Sequence, residues 1–277
     1  MKHLCGAIPD RPSSRKRDAS ISLRRVLGEL GVRQYALDNQ AMAQFLTWIR
    51  RQGGPSCVGQ LLAEWVDATT RTVPWASAVS LWREARRRQG QIENILAGTR
   101  IEYAVEGLIH RGWDDYEPGE EQDETEAGMD APPAGDDLRD ELFAHDKHQH
   151  GKHYRIADVR EQDILDSVDA ALALGFGVGG GFGLKDPFFG FQGDPNQTEE
   201  LLDATYIGGF ANGHALRIYG RFVSQQGDRC YLVQNSWGTS WGGTYNPATG
   251  QWDRGCFAAR GAVIADAWDL HVFEVQR

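Results

Sequence analysis

The chain has 277 residues, 41% hydrophobic and 25% charged, with a formal charge of −10 and a pI near 5.3. That length allows one sizeable core or two small ones, and the composition is ordinary for a soluble globular protein. No apolar run approaches the ~20 residues of a membrane helix, and Met1-Lys2-His3-Leu4-Cys5 lacks the apolar stretch of a secretory signal. A cytoplasmic location is therefore the expectation, with no membrane association, and so acidic a chain is not a natural partner for nucleic acid.

Charge is uneven along the chain. Residues 1–50 are net basic, densest at Arg15-Lys16-Arg17 and Arg24-Arg25, and 1–44 read as a partly irregular leader. Within it, Ile21, Leu23, Val26, Leu27 and Leu30 suggest a short helix. A second amphipathic stretch runs from Asn39 to Arg51, with Met42, Phe45, Leu46 and Ile49 on one face.

After Cys57 the stripe of Val58, Leu61, Leu62, Trp65 and Val66 predicts a core-facing helix, with Ser56 as its N-cap. Two further helices are predicted over Trp75 to Arg88 and Arg100 to His110, the latter stopped by Gly112. Composition then shifts. Residues 114–146 hold fourteen acidic side chains and one basic one, Arg139, and the chain carries Pro132-Pro133 nearby. An exposed insertion over about 114–150 is expected, too poor in apolar residues to build a core. His145, His148, His150 and His153 crowd its end, but their irregular spacing argues against a metal site.

Order resumes at Tyr154, followed by a helix over Gln162 to Leu174 with Gly175 beyond its end. Strands are predicted at Phe176–Val178, His214–Val223, Arg229–Gln234, Phe257–Val263 and His271–Val275. The run 179–183 reads as a flexible turn or, by the family resemblance drawn below, as a border of the substrate cleft. Helices first and strands second make this an α+β chain. The four cysteines form no paired cluster, so neither a zinc site nor a disulfide framework is expected, and Cys230 and Cys256 read as buried packing residues.

Four side chains can be assembled into a nucleophilic site. Cys57 opens a helix, where unpaired amide N–H groups and the macrodipole favour a thiolate. His214 begins a strand after a glycine-rich loop and is the candidate imidazolium partner. Asn235 ends the adjacent strand, from which it can fix the His214 tautomer, the role an Asp plays in serine triads. Gln52 can supply a side-chain N–H to an oxyanion beside the Cys57 amide.

The block Asn235-Ser236-Trp237-Gly238-Thr239-Ser240-Trp241-Gly242 closely resembles the asparagine block of papain-like cysteine peptidases. Gly213-His214-Ala215 and Gln52-Gly53-Gly54-Pro55-Ser56-Cys57-Val58-Gly59 stand upstream in the family's order, in a form similar to bacterial and viral members. The resemblance covers about 45–112 and 154–275. It implies a two-lobed α+β fold, with a helical lobe carrying Cys57 and a β-barrel-like lobe carrying His214 and Asn235. It further implies that Trp237 shields the Asn–His bond, that protein or peptide is the substrate, and that no cofactor is needed.

The chain departs from the family in three places. The spacing from Gln52 to Cys57 is one residue shorter than usual, 244–253 lengthens the turn after Trp241, and few residues precede Cys57. Latency would then have to come from the basic leader or from the acidic insertion docking on it. A cysteine endopeptidase is the leading reading. A weakly catalytic binding or structural component of a viral or secretion assembly, and an amidase or acyltransferase on cell-wall peptide, are the alternatives.

Overall fold

The computed structural model describes residues 7–8, 21–22, 41–71, 75–91, 98–113, 115–116, 151–156 and 160–275. The core of the acidic insertion, most of the leader, Cys5, and the helix expected from Ile21 to Leu30 beyond Ser22 lie outside them. In chain order the elements are β1 (Ile21–Ser22), β2 (Met42–Ala43), α1 (Cys57–Thr70), β3 (Trp75–Ala76), α2 (Ala78–Arg88), α3 (Ile101–Arg111) and β4 (Asp115–Tyr116). There follow β5 (Gly151–Ile156), α4 (Glu161–Ala173), β6 (Gly177–Gly183), α5 (Asp186–Phe189), β7 (Leu201–Leu202), β8 (Gly213–Val223) and β9 (Arg229–Gln234). The chain closes with β10 (Gly243–Asn246), β11 (Gln251–Arg254), β12 (Cys256–Arg260), α6 (Gly261–Ala265) and β13 (Asp269–Val275).

The first lobe is helical. Val58, Leu61, Leu62, Trp65 and Val66 are all buried, as their spacing demands of a stripe facing a core. The helix crosses α2 at Gly59, where a Cβ would lie 2.1 Å from the Ala78 carbonyl oxygen and 2.8 Å from Trp82 Cβ. Only glycine permits so close an approach. Helix α2 starts three residues later than its sequence suggests, because Trp75–Ala76 pairs antiparallel with Asp115–Tyr116 and Ser77 takes the cap, accepting from the Ser80 amide at 3.3 Å. Helix α3 ends at Gly112, as expected, whose amide donates to the Leu108 carbonyl.

The second lobe is built on a nine-stranded sheet of order β1-β5-β13-β6-β8-β9-β12-β7, with β2 added to β8. This path is open, not the barrel-like closure anticipated. Strand β6 is longer than expected: it runs through the whole glycine series to Gly183, entirely buried. Its glycines form the seat of α1. A Cβ at Gly177 would press Trp65 at 2.6 Å, one at Gly179 would meet Leu61 at 2.5 Å, and Trp65 Nε1 donates to the Val178 carbonyl at 3.1 Å.

Tertiary pairing overrides two other local patterns. The stretch from Asn39 to Arg51 is not helical where described: Met42 and Ala43 pair with Arg221 and Gly220, and the Gln44 amide donates to the Tyr219 carbonyl at 2.7 Å. The strand expected over Phe257–Val263 ends at Arg260, and Gly261–Ala265 turns as a short helix. The lengthened turn over 244–253 is the β10–β11 hairpin.

The helical lobe closes its hydrophobic core with Ala215 and Phe273 from the sheet, while the sheet's other face is covered by α4 and by an aromatic cluster. Among the described residues no helix is long and apolar enough to cross a membrane.

Candidate active site

Strands β8 and β9 run antiparallel with Arg217 opposite Gln234, which brings the start of β8 close to the residue following β9. Asn235 is that residue. Its Oδ1 accepts from His214 Nε2 at 2.8 Å and from the Ser236 amide at 2.8 Å. A backbone N–H can only donate, so the second contact fixes which end of the Asn235 amide is oxygen. Nε2 of His214 therefore carries a proton, and Nδ1 is the basic nitrogen of the neutral ring.

Trp237 covers this bond. Its ring lies 4.8 Å from the imidazole and stacks on Phe189 at 5.6 Å and 16°. Phe188 and Trp241 meet Trp237 edge-on at 5.6 and 5.4 Å, and Trp241 Nε1 donates to the Phe188 carbonyl. The sequence reading assigned nothing to Phe188 and Phe189. They ride on α5, a four-residue helix too short to show a period.

Segment 50–52 pairs with the asparagine block. The Gln52 amide donates to the Ser236 carbonyl at 2.7 Å, Arg51 bridges Trp237, and the Gly238 amide donates to the Arg50 carbonyl at 2.9 Å. The Gln52 side chain accepts from Ser236 Oγ at 2.8 Å through Oε1, and its Nε2 donates to the Gly54 carbonyl. The shortened loop thus leaves Gln52 tied to the block. Cys57, the first residue of α1, is buried in one cluster with Val58, Leu61 and Ala215, the neighbour of His214. Hydrogen bonds thus join Gln52, Asn235 and His214 by way of Ser236, and Cys57 shares its cluster with the neighbour of His214. Ser56 occupies the N-cap position but makes no side-chain cap bond; its hydroxyl instead accepts from Gln60 Nε2 at 3.2 Å.

Behind the site lies a buried charged network that sequence reasoning missed. Arg217 donates to Gln234 Oε1 at 2.7 Å and to the Phe45 carbonyl at 2.9 Å, and Gln234 Nε2 reaches Thr47 Oγ1 at 2.9 Å. Arg50 pairs with Asp67 at 2.6 Å and donates to the Ala76 carbonyl. Burial pushes the Asp67 carboxyl above its ordinary range, outweighing the pull of Arg50. The same desolvation lowers Arg217 against the opposing field of Glu64.

The other described cysteines are buried, as expected. Burial pushes Cys230 up to about 12 and Cys256 well above a normal thiol. His153, the described member of the histidine series, meets His271 at 2.8 Å with the rings stacked at 5.0 Å. Burial and the second imidazole hold His153 well below a normal histidine. No group of three or more metal-ligating side chains occurs among the described residues.

Two residues of the leader reach the site. The Ala7 amide donates to the Gly213 carbonyl at 2.9 Å and the Ile8 amide to the Thr99 carbonyl at 3.0 Å, one contact to each lobe. Ala7 is buried in the same cluster as Cys57.

No family model and no curated protein matches the chain. Solved structures do. Xylellain, a cysteine protease from Xylella fastidiosa, aligns over 100% of this chain and 97% of its own, at 18% identity and a TM-score of 0.67. The proform of the Amb a 11 cysteine protease of ragweed pollen covers 94% of this chain and 76% of its own, at 17% identity and a TM-score of 0.58. The bromelain protease of Ananas comosus, solved with the E64 inhibitor, covers 86% and 99% respectively, at 14% identity and a TM-score of 0.53. The fold is therefore that of papain-like cysteine proteases.

Proposed function

We propose that this chain, which has the papain-like fold, is a cysteine endopeptidase whose nucleophile is Cys57. The observation that carries the reading is the clamp on His214. Its Nε2–H points at Asn235 Oδ1 under the Trp237 ring, and its strand leads into the cluster that holds Cys57. A dry, correctly protonated imidazole beside a thiol at a helix N-terminus is the arrangement that sustains a thiolate.

In the proposed cycle His214 Nδ1 takes the Cys57 proton and the thiolate attacks the peptide carbonyl carbon. The oxyanion is held by the Cys57 amide and by Gln52 Nε2. Collapse breaks the C–N bond, with the Nδ1 proton passing to the leaving amine. Water, deprotonated by the same nitrogen, then cleaves the thioester and frees the acid and the thiol. Asn235 keeps the ring aligned throughout without competing for the charge. Ala7 and Ile8 each hold one lobe, so the leader that carries them is the latency element in the proposal and must leave before substrate enters.

An epoxide-type cysteine peptidase inhibitor tests the reading by intact mass. A single adduct on Cys57, lost in Cys57→Ser, is the expected result, if necessary after residues 1–20 are removed. Brief iodoacetamide treatment at pH ~6 should likewise mark Cys57 ahead of Cys230 and Cys256, whose thiols burial keeps protonated. Equal labelling of all three would sink the idea of an activated thiol.

A further inference from the structure

We infer that Arg51 is a specificity-determining residue, a cation set beside the reacting centre to take a carboxylate on the leaving half of a bound peptide. Its role in turnover rests on the peptidase reading; the carboxylate site itself does not.

Arg51 and Trp237 face each other as an antiparallel pair. The Gln52 amide donates to the Ser236 carbonyl at 2.7 Å and the Gly238 amide to the Arg50 carbonyl at 2.9 Å, one bond on either side of that pair. Residues bracketed in this way exchange no bond with each other, and their side chains stand close together on one face. The Arg51 side chain is therefore placed beside the ring that lies 4.8 Å from His214. Its stem runs over Gly238, where a Cβ would lie 3.6 Å from Arg51 Cγ and 3.9 Å from Cδ. The φ of +80° at Gly238 suits a residue without a side chain, which leaves that ground to the stem.

Exposure separates the two members of the pair. Trp237 is 4% exposed, whereas Arg51 reaches solvent. The preceding Arg50 is buried and bound to Asp67 at 2.6 Å. Arg51, by contrast, meets no carboxylate among the described residues. One arginine thus holds the fold and the next presents an unneutralised charge at the rim of the site. A guanidinium offers a planar fork of N–H donors that fits the two oxygens of a carboxylate. In the proposed cycle His214 passes its proton to the leaving amine, so the ground beside His214 and Trp237 receives the leaving half of the peptide. The Ala7 and Ile8 bonds go to Gly213 and Thr99, not to this segment. The carboxylate has two possible sources, an acidic side chain or the C-terminus of a short leaving half.

The test begins with leaving-half probes added to the full chain: Ala-Glu-Ala-amide, Ala-Gln-Ala-amide, and Ala-Gln-Ala with a free C-terminus. The Arg51 Nε–Hε resonance should shift with a carboxylate-bearing probe and stay in place with the neutral one, and the probe that moves it identifies the source. No shift with either carboxylate probe overturns the inference, as does an equal shift with all three. Turnover supplies the second readout. Substrates differing only in that carboxylate, Glu against Gln or free acid against amide, should differ about three- to tenfold in kcat/KM. Arg51→Gln should reduce that difference to less than about twofold, Arg51→Lys should keep part of it, and Arg51→Glu should invert it. A preference that survives Arg51→Gln overturns the inference. A selective resonance shift in a chain without peptide turnover would uphold the site and discard the peptidase reading; turnover blind to the carboxylate would do the reverse.

Discussion

Asn235 has two flanks of opposite character. On one side Trp237, Trp241, Phe188 and Phe189 stack and tilt at centroid distances of 4.9 to 5.6 Å. On the other, Arg217, Gln234 and Thr47 form a chain of hydrogen bonds that continues toward the Arg50–Asp67 pair. The aromatic flank keeps water off the His214–Asn235 bond and tolerates small shifts. The charged flank tolerates none, because each buried ion depends on its partner to offset desolvation. Dryness and position are thus supplied by different parts of the molecule, and they should fail differently.

The largest effect is expected where both flanks converge. His214→Ala should lower kcat by at least ~10³-fold and slow Cys57 alkylation at pH ~6, while Asn235→Ala should weaken turnover and leave alkylation measurable. Parallel measurement of the two rates decides it; equal, complete loss of alkylation in both variants would show that Asn235 does more than orient. Next comes the charged flank. Arg50→Met strands the Asp67 carboxylate and should cost about 3–5 kcal/mol of unfolding free energy at pH 8, read by denaturant titration. The aromatic flank should yield less: Phe189→Leu removes one stacked partner of Trp237, at about 0.5–1.5 kcal/mol.

The smallest effect sharpens the contrast through pH. Because burial raises the Asp67 carboxyl, the folded chain binds its proton more tightly than the unfolded chain does. That contribution is complete below the unfolded carboxyl pKa of ~3.9 and fades as pH rises through the raised value. Asp67→Asn, compared with wild type in thermal melts across this window, should remove the decline. An unchanged slope would place the carboxylate in better solvation than its burial implies.

Much of this site was legible in the sequence, and the reason is local. Asn235 through Gly242 is one continuous segment, so its spacing survives intact in the chain, and the helix stripe after Cys57 needs only its own residues. The aromatic flank was half visible: Trp237 and Trp241 stand in the block, but Phe188 and Phe189 arrive from α5, some fifty positions earlier. The charged flank was invisible. Its bonds join positions 17 to 187 apart, and nothing in Arg50, Thr47 or Arg217 announces a partner. Strand β6 was underestimated for a related reason. Glycine weakens a strand by propensity, yet here the missing side chains are what the packing of Trp65 and Leu61 requires. The stretch at Asn39 to Arg51 failed in the opposite sense, a helical period overruled by pairing with β8.

The seating of α1 on β6 also bears on how the molecule comes apart. The helix that begins at Cys57 buries Leu61 and Trp65 against the sheet, and the core around it borrows Ala215 and Phe273 from strands β8 and β13. The interior of the helical half is therefore closed by residues of the sheet. Separating the halves would expose that shared surface along with the Trp65–Val178 bond, at a cost comparable to global unfolding. The two halves should consequently melt as one cooperative unit, with backbone amides of α1 and β6 opening to hydrogen exchange together.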